Sequence, residues 1–558
     1  MQMHPLFEKH RSTLDGALDA IRTRGFWSAY PEMPSPKIYG ESANDEGKAA
    51  ALGHAGHQFE LDQPGRIGWL ASEHSPYGIP LEVEYPVCEP QALIDAALAA
   101  MPAWQKLGVE GRTGICLEAL SRINKRSFEI AHAVMVTTGQ GWMMAFQAGG
   151  PHAQDRGLEA VAYAYREMSS VPSTARWEKP QGKNPPVVME KRFEIVGRGV
   201  ALVIGCGTFP TWNTYPGLFA ALVTGNPVIV KAHPNAVLPA AISVKILRDV
   251  LAESGIDPNL VSLAVVADPK ATRALATHPA VRSVDFTGSN SFGNWLTENA
   301  RQAQVYAELA GVNNVVIEST DKYRSMLKNL AFTLSLYSGQ MCTTTQDIFV
   351  PADGIDTDEG HKSFDEVAAD LGSAVEKLLS DAVVATAVLG SIQSPETLKR
   401  IEEAPALAAQ PSDIVLASRK LDHAEFPAAN VHTPLLMKTD AANEAAYMQE
   451  RFGPISFIVK VADATAAVAL SEQIVRERGA LTVGLYSTKQ EVIDAMTEAT
   501  MRAGVALSIN LLSNVYVNQS AAFSDYHATG ANPAANASYT DSAFVANRFR
   551  VIQRRWHV

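Results

Sequence analysis

The sequence predicts an α/β fold of two or more domains, the first built on a parallel sheet and followed by a second α/β domain. Three observations predict it. A chain of 558 residues is too long for one hydrophobic core, so two or more domains are expected. Between residues 200 and 308, short apolar runs alternate with helix-compatible segments, the pattern of a parallel sheet covered by right-handed crossover helices. The alternation weakens near residue 308 and then resumes.

Residues 1–85 are mixed: the spacing of Leu14, Leu18 and Ile21 predicts a helix, and YPEMPSPKIYG reads as loop. From Gln91 to Ala133 the apolar spacing is helical, and HAQDRGLEAVAYAYREM continues it. A basic, proline-bearing stretch, Lys179 to Pro186, interrupts the pattern, and VVMEKRFEIVGRG then reads as an extended segment. VALVIG, PVIVK, LVSLAVV and VRSVDF read as buried strands, with helices at 237–254 and in ATRALATH between them. Beyond residue 308, NNVVIES, QDIFVP, ISFIVKV and LTVGLYS read as strands of a second lobe, and the tail FRVIQRRWHV as another extended segment. Ligands of such sheets bind beyond the carboxyl ends of the strands, where Thr208, Lys231 and Gly288 fall.

Composition excludes several classes of function. The 47% hydrophobic and 19% charged content is globular, not disordered. A formal charge of -12 without a basic block argues against nucleic acid and anionic membranes as partners. The N-terminus lacks a secretory pattern, and no apolar run is long enough to span a bilayer. Four cysteines, Cys88, Cys116, Cys206 and Cys342, without C-x-x-C spacing, make a disulfide scaffold or structural zinc site unexpected; no metal is expected, and a reducing cytoplasm fits.

Three patterns carry chemistry. In Ser338-Gly339-Gln340-Met341-Cys342-Thr343 a Gly-containing turn can expose a thiol among backbone N–H groups, although a lone cysteine is usually inert. Glu308-Leu309-Ala310-Gly311 puts a carboxylate at the end of the strand-like QVYA, where a solvated or capping role is the ordinary one. Thr287-Gly288-Ser289, leading to Gly293, is a Gly/Ser turn opening a helix, which can seat a pyrophosphate or simply cap that helix.

Together, in this order and spacing, these residues resemble the aldehyde dehydrogenase superfamily over roughly residues 90 to 545. The resemblance implies a Rossmann-type cofactor domain, formed with the N-terminal extension by residues 1–187 and 200–308. It further implies a catalytic domain over 309–535 and oligomerisation strands at 188–199 and 536–558, hence a homo-oligomer, dimer or tetramer. Cys342 takes the place of the family's nucleophile in G-Q-x-C, and Glu308 that of its base in E-L-G-G, here E-L-A-G. Gly288, Ser289, Gly293 and Lys231 match cofactor positions. Glu450 and Phe452 match the E-x-F-G-P motif on the nicotinamide ribose, and Phe523 an aromatic beside the substrate.

Two departures stand out. The family's P-W-N-F-P is Cys206-Gly207-Thr208-Phe209-Pro210, so the oxyanion asparagine becomes Thr208, with Asn213 or backbone N–H groups as other donors, and Gly207 implies a wider pocket. After Lys231 the run Ala232-His233-Pro234 lacks the acid that holds an adenosine ribose, so NADP is expected over NAD, with Lys231 and His233 meeting the 2′-phosphate. Segments such as FQAGGPHAQDRGLEAVAYAY and YVNQSAAFSDYHATGANPAANA look like the PaaN branch of phenylacetic acid degradation proteins. That likeness implies a CoA-linked aldehyde, 3-oxo-5,6-dehydrosuberyl-CoA semialdehyde, and a separate ring-opening hydratase. Three other readings remain. A CoA-acylating dehydrogenase would commonly lack the Glu308 base. A Cys–His–acid hydrolase has His233, His361 and His527 to draw on, but no spacing ties one to Cys342. A silent scaffold of the same fold would have no reason to keep Cys342, Glu308, Lys231 and Glu450.

Overall fold

The structure is a computed structural model describing residues 4–266 and 268–558. Helices dominate the first third: α1 (Arg11–Thr23), α2 (Pro90–Lys106), α3 (Gly108–Lys125), α4 (Ser127–Thr138) and α5 (Pro151–Ser169). The helical spacing read from Gln91 to Ala133 is thus three helices. Gly108, at φ +72, and Arg126 break it. Proline begins α2 and α5, where its missing N–H costs nothing. The YPEMPSPKIYG stretch holds one helical turn, Pro36–Tyr39, capped by the Ser35 hydroxyl accepting from Lys37 N.

A hairpin follows, β1 (Thr174–Gln181) and β2 (Asn184–Gly197), turning through Gly182 at φ +63. The Lys179–Pro186 stretch read as an interruption is the tip of this hairpin. β1 and the first residues of β2 lie in solvent, so the tip has no buried face for an apolar alternation to mark, whereas β2 beyond it is largely half-buried.

The next five strands are β3 (Val200–Ile204), β4 (Val228–Lys231), β5 (Val261–Ala264), β6 (Val281–Thr287) and β7 (Gln304–Glu308). They form one parallel sheet in the order β5-β4-β3-β6-β7. Every residue of β3 is buried, as its unbroken apolar run requires. The strand order reverses between β3 and β6, which opens a crevice at their carboxyl ends.

The second lobe holds β8 (Asn313–Ile317), β9 (Thr345–Pro351), β10 (Ile414–Leu416), β11 (Leu435–Asp440), β12 (Ile455–Val461), β13 (Thr482–Tyr486) and β14 (Ala506–Ile509). Their order is β10-β11-β12-β9-β8-β13-β14, parallel except for β10. The last strand, β15 (Phe549–His557), leaves this lobe and pairs along β2 from Phe549–Gly197 to His557–Met189, giving a three-stranded sheet. Its side chains, Ile552 and Trp556 among them, are mostly exposed. Among the described residues no helix is long and apolar enough to cross a membrane.

Candidate active site

The carboxyl ends of β3, β4 and β6 carry the crevice residues. Lys231 closes β4. Burial lowers its ammonium to about 8, and among the described residues it has no carboxylate partner; an anion beside it would raise it again. Gly288 N donates to Glu308 O at 3.0 Å, tying the turn after β6 to the end of β7. Ser289 caps the helix Asn290–Asn299, its hydroxyl accepting from Phe292 N at 3.5 Å. Gly293 lies under Leu309, where a Cβ would collide with that side chain. These residues fit a dinucleotide: a buried cation, a helix N-terminus and a backbone without side chains in the way.

The nucleophile turn follows a short 3-10 helix, Leu336–Gly339, in which Tyr337, Ser338 and Gly339 all have positive φ. Such a backbone persists only where neighbours over-determine it. Here Tyr337 Oη donates to Thr138 O at 2.6 Å, and Ser338 Oγ donates to His432 O at 2.9 Å and Gly390 O at 3.1 Å. A Cβ on Gly339 would strike Gly453 O. Beyond the turn, Asn313 Nδ2 donates to Cys342 O at 2.8 Å and Thr344 O at 3.1 Å, and Thr343 Oγ1 donates to Asn518 O at 2.7 Å. The backbone that carries the sulfur is therefore held by β8 and the loop after β14.

Cys342 faces Glu308, and a third group joins them. His527 Nε2 lies 3.9 Å from Cys342 Sγ and 3.1 Å from Glu308 Oε2; the three reactive atoms sit within 4.8 Å of one another. The imidazole is locked. Its backbone exchanges two 2.9 Å hydrogen bonds with Tyr539, its ring meets Trp212 edge-on at 4.6 Å, and Nδ1 faces Ser520 Oγ at 3.4 Å. Burial would raise the Glu308 carboxyl, but the His527 charge and hydrogen bond, with a further bond from Cys342, outweigh it and lower it. Burial, then the Glu308 charge, pushes the Cys342 thiol well above its usual value. Glu308 Oε1 is buried without a partner among the described residues, which leaves one carboxylate oxygen to take a proton.

Asn213 Nδ2 donates to Glu308 Oε2 at 3.5 Å and Thr287 Oγ1 at 3.3 Å, and its Oδ1 accepts from Cys206 Sγ at 3.4 Å. The Thr208 hydroxyl instead lies against the Cys206 sulfur, while Thr208 O accepts from Gln140 Nε2 at 2.7 Å. Of the two side-chain donors considered for the oxyanion, Asn213 is the one at Glu308.

Two other expectations are corrected. Phe523 does not line the site. It is fully buried, edge-on to Trp27 at 4.9 Å, with its N–H donating to Glu159 Oε1 at 3.0 Å; the aromatics against His527 are Trp212 and Tyr539. Gly207 does not widen a pocket either. A Cβ there would meet Gln393 Oε1 at 2.8 Å and His233 Nδ1 at 3.0 Å, so these side chains fill the space. Gln393 Nε2 donates to Gly207 O at 2.9 Å and fixes that backbone. His233 itself is lowered to about 4 by burial and by Lys231, and its Nδ1 accepts from Asn235 N at 3.2 Å. Burial raises Glu450 to about 7, and Arg400, which also donates to Phe452 O, offsets part of that.

His527 stands beside Cys342 and Glu308, a neighbour that sequence reasoning did not assign to the site. The reason for setting the histidines aside, that no spacing ties one to Cys342, does not survive folding: 185 residues separate the two, and the loop after β14 closes the gap.

A cofactor-type parallel sheet opening toward a thiol carried by a second parallel sheet defines an oxidoreductase of two α/β lobes. The chain belongs to the aldehyde dehydrogenase family, whose sequence profile matches residues 88–545. It is similar along its whole length to an NAD-dependent aldehyde dehydrogenase from Burkholderia multivorans, with a TM-score of 0.98, 55% identity and 100% of each chain covered. N-succinylglutamate 5-semialdehyde dehydrogenase of Chromobacterium violaceum is 26% identical over 409 residues, 72% of this chain and 77% of its own. 1-Pyrroline-5-carboxylate dehydrogenase of Bacillus subtilis is 25% identical over 312 residues, 54% of each.

Proposed function

We propose that the protein oxidises an aldehyde to its acid with Cys342 as nucleophile and Glu308 as base. The observation that carries this is the buried contact of the thiol with a carboxylate whose second oxygen is free. The Cys342 sulfur adds to the carbonyl, and the oxyanion is held by the Cys342 N–H and the Asn213 amide. A nicotinamide cofactor, when bound, would supply the hydride acceptor, and Cys342 then carries the acyl group as a thioester on its sulfur. Glu308 Oε1 then takes a proton from water as the acyl group departs.

Lys231, Ser289, Glu450 and Phe452 would hold the cofactor through its phosphates and ribose. The relative at 55% identity is named NAD-dependent, which supports NAD. The missing acid after Lys231 leaves nothing to repel a 2′-phosphate, so NADP is used at least as well; a kcat/KM for NAD tenfold above that for NADP would refute this.

For the substrate we infer a semialdehyde. The likeness of the 146–165 and 516–537 segments to the PaaN branch supports one carried on coenzyme A, supplied by a separate ring-opening enzyme. The exposed strand β15 and its partner β2 support a homo-oligomer. The test is cofactor reduction followed at its absorbance band with semialdehydes, with and without CoA linkage. Cys342→Ala should abolish it, and added free CoA should not accelerate it. An active Cys342→Ala variant would refute the nucleophile, and strict dependence on free CoA would make the enzyme acylating.

A further inference from the structure

The mechanism above leaves the thiol proton without a destination. Cys342 is buried beside a carboxylate, so burial and Glu308 both oppose the thiolate that must attack. A thiolate there needs a positive partner within contact. Lys231 stands at the end of β4, in the cofactor crevice, and the Arg156 guanidinium is engaged by Glu159 Oε2 at 2.8 Å. His527 touches the sulfur.

Resting on the assignment of Cys342 as nucleophile, we propose that His527 is a catalytic residue that holds the proton of Cys342, so that the resting site is a thiolate, an imidazolium and the Glu308 carboxylate in contact. The geometry supports each part. A ring nitrogen 3.1 Å from a carboxylate oxygen carries a hydrogen, and Nε2 is that nitrogen. The same Nε2 lies 3.9 Å from Sγ, so its N–H serves both anions. On the other side of the ring, Nδ1 lies 3.4 Å from Ser520 Oγ, which can accept an Nδ1–H. That hydroxyl also accepts from Arg156 Nη2 at 3.1 Å and has lone pairs for both. Both ring nitrogens therefore have acceptors, as an imidazolium requires.

The proton balance is simple. The Sγ–H bond breaks, its electron pair stays on sulfur, and an Nε2–H bond forms. The proton stays on the ring through hydride transfer and deacylation, because the departing acyl group returns the thiolate. Glu308 has separate oxygens for separate tasks: Oε2 meets the imidazolium and Oε1 is left for water. The groups facing His527 are Glu308 and Cys342, with Cys206 beyond them, Tyr539 stacked on the ring, Arg156 with Glu159 behind Ser520, and Asp525 on its own loop, bound to Ala521 N. Trp212 covers the remaining edge. The arrangement explains how a buried cysteine next to an acid stays nucleophilic.

The experiment is the pH dependence of Cys342 alkylation by iodoacetamide, from pH 5 to 9, with labelled peptides counted by mass spectrometry so that Cys206 is scored separately. It needs neither substrate nor turnover. The wild-type rate should hold within about threefold of its plateau at pH 6.5. His527→Gln should move the midpoint up by at least about one pH unit and lower the rate at pH 6.5 at least about tenfold, with the acid limb of kcat/KM moving alike. Ser520→Ala, which leaves the ring in place, should shift both in the same direction by less. Circular dichroism and melting establish that each variant is folded, and if His527→Gln does not fold, Ser520→Ala decides. A folded variant with the wild-type alkylation midpoint overturns the assignment of His527 alone. Turnover by Cys342→Ala overturns the nucleophile, and this proposal with it.

Discussion

Removing Arg548 should weaken the molecule more than any surface change. Its guanidinium is fully buried and forms two hydrogen bonds with Asp285, Nη2 to Oδ1 at 2.6 Å and Nη1 to Oδ2 at 2.8 Å. Its planar head lies over Tyr306 at 4.1 Å and Phe544 at 4.3 Å, and its carbonyl accepts from Asn226 Nδ2 at 2.9 Å. This cluster fastens the segment before β15 to β6 of the cofactor sheet. Arg548→Met fills much of the volume but strands a carboxylate whose side chain is 2% exposed. Breaking one side of a buried pair costs about 3–5 kcal/mol. A chain of this length melts with an entropy of about 1.2 kcal/mol per degree. The expected fall in Tm is therefore about 3–4 °C, read by differential scanning calorimetry. Replacing both partners, Asp285→Leu with Arg548→Met, removes the stranded charge and should recover most of the loss, because an apolar pair of similar volume is often as stable as a buried ion pair. If the double variant melts no higher than Arg548→Met, the stranded carboxylate is not the cause and this account fails.

Glu308→Gln should give one burst of reduced cofactor per site and then turn over about 10²–10⁴-fold more slowly, as measured by stopped-flow absorbance; equal slowing of burst and steady state would place Glu308 before hydride transfer. Asn213→Ala should lower kcat about 10²–10³-fold and Thr208→Ala less than about threefold, since only the Asn213 amide reaches Glu308; the reverse order would return the oxyanion to Thr208. Asp347 has both carboxylate oxygens buried without partners among the described residues, and burial raises its carboxyl well above the usual value, with Arg451 opposing. The folded chain keeps that proton where the unfolded chain has lost it. The site's contribution is full below the ordinary aspartate range and falls as pH rises, by up to about 1.4 kcal/mol per unit. Asp347→Asn should flatten that slope in urea unfolding between pH 5 and 8; parallel curves for the two proteins would exclude Asp347 as its source.

Val200–Ile204 and Val228–Lys231 were legible because each is a nearly unbroken apolar run, and both are buried almost throughout, so no other placement suits them. The hairpin Thr174–Gln181 and Asn184–Gly197 was half hidden for the opposite reason: its charged faces look to solvent, and sequence pattern reports burial, not hydrogen bonding. Glu308 and Cys342, which the structure brings together, stood out in the sequence because each sits in a short motif that includes a glycine. Phe523 was misplaced because an aromatic in a glycine-poor loop carries no mark of which face it turns inward, and Trp27, from the N-terminal extension, claims it.

The same extension shows why motif reading stops where it does. Glu73 is buried and accepts from Val237 N and from Leu238 N at 2.8 Å, at the start of the helix that follows Lys231, while Ser72 Oγ donates to Pro234 O at 2.7 Å. Arg24 Nη1 donates to Phe523 O at 2.5 Å, and its guanidinium lies 3.8 Å over Tyr526, next to His527. Residues from the first 85 thus fix both the turn that carries the cofactor lysine's neighbours and the loop that carries the histidine. None of these contacts has a sequence signature, because each joins residues more than a hundred positions apart. The residues proposed to react are written in motifs; those packed around them are spread over the chain, and His527, Arg156 and Glu73 became visible only when folding brought their partners to them.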